Sequence, residues 1–229
     1  MKDIKSLLFI LLTILCYILA KKMYAKFTYS LMIPIVTSTT VIIIILVNLH
    51  ITYELYMLGG KWINLLLGPA VVSFAYPLYE HRATLKNHFI SIIVSVMAGT
   101  IIGLLSGVYL SLWLGLKKII LLSLAAKSVT TPLAMGITSM IGGIPSLTVV
   151  YVMIAGISGS MFGPAILSKL KIDHPVAIGA SYGISSHGVG TAKAAEYGKI
   201  EQAISSIAMT LSAIFASILI PFIIKLILK

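Results

Sequence analysis

At 229 residues, 59% of them hydrophobic and 10% charged, the chain is too apolar for a soluble domain, in which about a quarter of residues carry charge. Its length suits about seven or eight membrane segments of roughly 20 residues each, with no room for a soluble catalytic domain. The net charge of +11 comes from basic residues set singly or in pairs between apolar runs. That pattern suits helix flanks meeting anionic membrane lipid and makes nucleic acid an unexpected partner.

In chain order, Lys2 and Lys5 precede an apolar stretch that Lys21, Lys22 and Lys26 close, where a cleavage signal would stand. Residues 6–20 are therefore expected to form an uncleaved first span. Cys16, the sole cysteine, lies inside it, which excludes an intramolecular disulfide and a thiolate metal cluster. A clear span is expected over residues 31–49. Residues 62–79 are uncharged but interrupted by Gly68-Pro69 and Pro77. A long span over 89–116 ends in Tyr109 and Trp113, at the depth of an interfacial aromatic belt. A short apolar run at 119–126 leads to Lys127, and Gly142-Gly143-Ile144-Pro145 then divides a broken segment from a full span at 147–167. Residues 174–192 are glycine-rich and polar for their depth, and 202–224 form the last span.

These features predict an all-α polytopic transmembrane protein, a single integral membrane domain over residues 1–229 with discontinuous or re-entrant helices. Three segments read as broken: 64–79, 125–136 and 179–193. Unpaired backbone groups in hydrocarbon cost several kcal/mol each, so breaks persist only where protein or a watery cavity receives them. Each alone could be a kink satisfied by neighbouring helices; three together, each with polar residues at its break, favour a binding cavity. Span, break and span over 31–113 are echoed over 147–228, an inverted repeat if 119–140 re-enters. The basic loops at 21–26, 82–86, 169–171 and 225–229 would then share the cytoplasmic face, with Lys2, Lys5 and Lys117-Lys118 as exceptions.

Three polar clusters need explaining. Lys127 either snorkels to an interface or offers a fixed positive charge to an anion, since an intramembrane lysine usually marks a pathway or an ion pair. Beside it, Ser128, Thr130 and Thr131 carry hydroxyls, and Pro132 interrupts helical pairing so that a half-helix N-terminus could meet a carboxylate. In the second cluster, Ser185, Ser186, His187 and Thr191 stand among Gly188 and Gly190, which permit close backbone approach. His187 is either a packing residue or a proton acceptor, its reference pKa of about 6.5 lying near neutrality. The third contains Asn64, Gly68, Pro69 and Ala70, with Ser73 and Tyr76 within reach of a cavity, and Glu80 and Arg82 as an expected interfacial pair. There is no metalloprotease motif, nucleotide loop or carboxylate cluster. Adjacent Ser186 and His187 cannot readily form a nucleophile–base pair. Neither an enzyme nor a cofactor or metal is expected.

At these clusters the chain resembles the LrgB/CidB family, through LGPAVVSFAYPLY (67–79), KSVTTPLAMGI (127–137), GGIPSLT (142–148) and GISSHGVGTAKAAE (183–196). The four motifs in this order are specific together, and the resemblance runs from about Leu58 to the C-terminus. It implies a multi-pass protein of the inner (cytoplasmic) membrane, described as antiholin-like or as a modulator of murein hydrolase export and autolysis. Relatives are linked to pyruvate uptake and to plastidial glycolate/glycerate exchange, and usually work beside a holin-like LrgA/CidA-type partner. Carried over, the site positions are Gly68-Pro69-Ala70, Lys127 to Pro132 and Ser186 to Thr191. The expected function is transport of a small anionic carboxylate by a homo-oligomer. The alternative is a non-catalytic, antiholin-like component that acts with the holin-like partner.

Overall fold

The computed structural model describes residues 2–27, 32, 34–66, 69, 72 and 75–227, and every regular element among them is helical. The chain divides into two compact units, Met1–Ala70 and Val71–Lys229.

In the first unit, α1 (Lys2–Phe27), α2 (Pro34–Asn48) and α3 (Tyr53–Leu65) pack together. The first helix extends beyond the expected 6–20 at both ends, because lysine stems can carry a helix into the headgroup layer. Ser6 Oγ donates to the Leu58 carbonyl at 2.7 Å, and the Thr13 and Tyr56 hydroxyls lie 2.8 Å apart. A side chain at Gly59 would strike the Ser6 carbonyl and Phe9, so glycine lets α3 press against α1. The span expected over 31–49 is the 15-residue α2, which at 1.5 Å per residue is about 22 Å long, short of the roughly 30 Å hydrocarbon core.

The second unit contains α4 (Ala75–Glu80), α5 (Arg82–Asn87), α6 (Phe89–Trp113), α7 (Lys118–Leu124), α8 (Thr131–Ile141), α9 (Pro145–Lys169), α10 (Pro175–Ala194) and α11 (Lys199–Ile227). Among the described residues, four helices are long and apolar enough to cross a membrane: Ile4–Lys26, Phe89–Trp113, Pro145–Lys169 and Lys199–Ile227. The other segments expected to count as spans are shorter or broken.

The frame of this unit is α6, α9 and α11. Ile92 and Val96 pack with Ile204 and Ile207, Thr100 bonds Ser212 at 2.9 Å, and Leu104 and Val108 pack with Ala216 and Ile220. The order of these contacts makes α6 and α11 parallel. Helix α9 runs against them, with Val152 in the cluster of Leu104 and Leu167 beside Ile178.

Two broken segments fill the frame, and both turn back. Helix α7 descends from Lys118 to Leu124; the chain turns through 125–130 and returns as α8. Gly142 at its end adopts φ 82°, the left-handed helix stop that glycine tolerates. The Ile144 N–H then donates to Ser123 Oγ at 2.8 Å, and Thr148 Oγ1 donates to the Ser123 carbonyl at 2.8 Å. The second segment, α10, breaks at His187, with φ 41° and ψ −125°. Residues 188–194 fold back on 175–186: Gly190 lies against the Tyr182 carbonyl, and Ala194 joins Ile178 and Tyr182 in one cluster. In a straight helix, residues 182 and 190 would be about 12 Å apart. The turn between α7 and α8 is the re-entry on which the inverted repeat was conditional, whereas the doubling back of 188–194 departs from the basic-loop scheme, which needs 179–193 to cross. The consequence is a correction to the basic-loop scheme. Helix α11 starts beside α10, where Gly179 meets the Glu201 carbonyl, and ends among Leu121 and Val108. Lys225 thus lies at the opposite end of this bundle from Lys169 and Lys171.

Candidate functional site

The two hairpins enter from opposite ends and their tips meet. His187 Nε2 lies 3.3 Å from the backbone carbonyl of Lys127. A carbonyl only accepts, so this contact requires the proton on Nε2. His187 is buried, at 4% exposure, and its positive φ is a conformation that non-glycine residues hold only when the surroundings enforce it, at a cost of order 1–3 kcal/mol. Thr191 Oγ1 donates to the His187 carbonyl at 2.9 Å and also meets Ser205 Oγ at 2.9 Å, pinning the returning arm to α11.

Lys127 Nζ donates to the Gly103 carbonyl at 3.1 Å and lies 3.4 Å from Ser128 Oγ. Among the described residues it has no carboxylate partner. The lysine stem runs beside Gly107, where any side chain would meet it. Helix α6 thus presents Ser95, Gly99, Gly103 and Gly107 at four-residue spacing, a small-residue stripe on which Gly103 and Gly107 take the tip and Gly99 takes Ile184.

A cavity of about 910 Å³ begins at Lys127 and Ser128 and runs between α6, α9 and the first arm of α10. Among the described residues, Lys127 is the one charged side chain on its wall. Hydroxyls of Ser95, Ser158, Ser181, Ser185, Tyr151 and Tyr182 interrupt walls that are otherwise isoleucine, leucine, alanine and glycine. A second cavity of about 180 Å³, bounded by Ser111, Leu114 and Leu116, reaches Lys127 and Leu124 from the other end. Lys127 therefore lines two hollows that lie toward opposite ends of the bundle.

Of the sequence-derived residues, Lys127, Ser128 and Ser185 line the main cavity. Ser186 is fully buried behind it and bonds Ser185 at 3.1 Å. Thr130 caps α8 and is buried without a hydrogen-bond partner for its hydroxyl. Thr131 and Pro132 form the first turn of that helix. Gly188 lies at the second break, Gly190 packs on Tyr182, and Thr191 braces the return. Asn64 and Pro69 are exposed in the first unit, and the Lys127 group belongs to the second. Gly68, Ala70 and Ser73 lie outside the described residues. Gly103, Gly107, Ser158 and Tyr151 were not singled out from the sequence, although the small-residue period of α6 was there to be read.

The LrgB-like family model matches residues 13–226. The chain is 42% identical to uncharacterized protein YxaC of Bacillus subtilis strain 168, over 96% of each chain. It is 37% identical to uncharacterized protein YwbG of the same strain, covering 93% of this chain and 95% of that one. To holin-like protein CidB of Staphylococcus aureus strain N315 it is 35% identical, over 97% of each. No solved structure matches the chain.

Proposed function

The chain belongs to the LrgB-like family and is a multi-pass membrane protein, and from that premise and the site we propose that it transports small monocarboxylates of the pyruvate, glycolate and glycerate type. The observation that carries this reading is the meeting of two opposed re-entrant tips at Lys127, a half-buried cation without a carboxylate partner among the described residues and reached by a cavity from each end. An intramembrane lysine is costly, about 2.5–3.5 kcal/mol on insertion scales, and a carboxylate is the ligand whose charge offsets that cost. Ser128 sits beside the ammonium, so its hydroxyl can meet the 2-oxo or 2-hydroxy oxygen. Helix breaks facing a cavity, contributed by opposed segments, are the usual construction of a secondary transporter site. On this reading the protein is not an enzyme, and it needs neither cofactor nor metal.

The test is uptake of labelled pyruvate and glycolate into proteoliposomes. Lys127→Gln is expected to reduce uptake at least about tenfold, the cost of leaving one carboxylate without its charge partner. Failure to move any two- or three-carbon acid, or unchanged uptake by Lys127→Gln, would overturn the reading.

A second reading draws on the printed name of the staphylococcal relatives, holin-like protein CidB. In it, the chain is a non-catalytic antiholin-like component that assembles as a homo-oligomer with an LrgA/CidA-type partner and tunes murein hydrolase export and autolysis. Co-purification with such a partner, with lysis altered equally by wild type and Lys127→Gln, would favour it over transport.

A further inference from the structure

The cavity at Lys127 is far larger than a three-carbon acid requires. Its volume is about 910 Å³, and it is half open along one side, where Ile102, Ile154 and Ile166 are exposed. It is a groove rather than a bulb. Its wall on α9 runs from Tyr151 to Leu170, a length of about 28 Å at 1.5 Å per residue. Cationic charge stands at one end only. Beyond Lys127 the lining is mostly apolar, with Ile102, Ile154, Ile166 and Ile184 along the sides between the hydroxyls of Ser158, Ser181 and Tyr182. A dicarboxylate would find a second anion stranded among them, uncompensated, which is severely unfavourable.

The apolar wall begins close to the charge. On α6, Gly103 faces Ser128, and Gly99, one turn earlier, faces Ile184. That places Ile184 about 6 Å along the groove from the Lys127 level. An acid whose carboxylate rests on Nζ directs its remaining carbons along Ile184, where each methylene leaves water.

We propose that the groove binds monocarboxylates carrying an apolar medium-length or branched tail, such as hexanoate and ketoisocaproate, more tightly than pyruvate. The carboxylate sits on Lys127 and the tail lies against Ile184 and α9. This deepens the transport reading and rests on it.

Binding to the protein in nanodiscs tests it, using pyruvate, butyrate, hexanoate, ketoisocaproate, succinate, hexylamine and palmitate, each against wild type, Lys127→Gln and Ile184→Ser. The dissociation constant should fall about two- to fourfold per added methylene from butyrate to hexanoate. Succinate and hexylamine should not bind, and Lys127→Gln should abolish binding of every acid. Ile184→Ser should erase the gain from butyrate to hexanoate, and an unchanged thermal unfolding midpoint in the same nanodiscs certifies that the variant is folded. Flat affinity across the series, or pyruvate binding tighter than hexanoate, overturns this inference and leaves monocarboxylate transport standing. Binding of palmitate alone overturns it in favour of a membrane-lipid site. If no acid binds, the transport reading falls with it.

Discussion

His187 holds a positive φ that glycine would adopt freely, between Ser186 and a glycine that could have taken the strain instead. What retains histidine there is reach: its ring spans from one hairpin tip to the Lys127 carbonyl of the other. His187→Gly relieves strain of about 1–3 kcal/mol but removes a hydrogen bond worth about 1 kcal/mol and empties a buried site at a further cost. The variant is therefore expected to unfold in detergent at the wild-type temperature or a few degrees below it, yet to lose most transport, because the tips are no longer registered. Thermal unfolding and uptake measured on the same preparation separate the two effects. Gly107→Leu acts on the neighbouring lysine. The new side chain takes the space of the Lys127 stem, so uptake should fall by about the margin expected for Lys127→Gln even though the charge is retained. Lys127 and the Ser185–Thr191 run were legible in the sequence because charge and glycine density at membrane depth are unusual. Gly103 was not, because its contribution is a carbonyl oxygen, which every residue has.

At the scale of elements, the first arm of α10 depends on close approach to α11. Gly183 lies against the Ser205 carbonyl and Ala208, and Gly179 against the Glu201 carbonyl and Ile204. Small residues let helices associate in lipid through dispersion contacts, where no hydrophobic drive separates helix from solvent. Gly183→Leu should cost more than the roughly 1–3 kcal/mol of ordinary overpacking, because the obstacle is backbone rather than a movable side chain. Denaturant titration in mixed micelles would read the loss. The helices themselves followed from apolar runs and their lysine and proline boundaries: α9 begins at Pro145 after Gly142-Gly143, and α10 at Pro175. The direction in which each broken helix continues was not legible. A glycine-rich break marks where a chain can turn, and only its partners decide whether it goes on or doubles back.

For the whole second unit, re-entry of both hairpins puts the ends of α6 and α11 on one side and the end of α9 on the other. In a Cys16→Ala background, Leu114→Cys and Lys225→Cys should react with an impermeant maleimide from the same side of sealed vesicles, and Leu170→Cys from the opposite side. Labelling of Lys225→Cys together with Leu170→Cys would mean that residues 175–194 cross. The sequence by itself determined that this chain is a helical membrane protein, where its helices are interrupted and which polar residues lie at the breaks. Those properties follow from local composition, because hydrocarbon tolerates neither charge nor unpaired backbone. Only the tertiary structure decided that two breaks meet, that Lys127 borrows a carbonyl from α6, and that the hollow beside it is long and mostly apolar. The first two depend on contacts between residues 60 and 24 positions apart and the third on residues from Ser95 to Ser185, and no periodicity within a single helix encodes them.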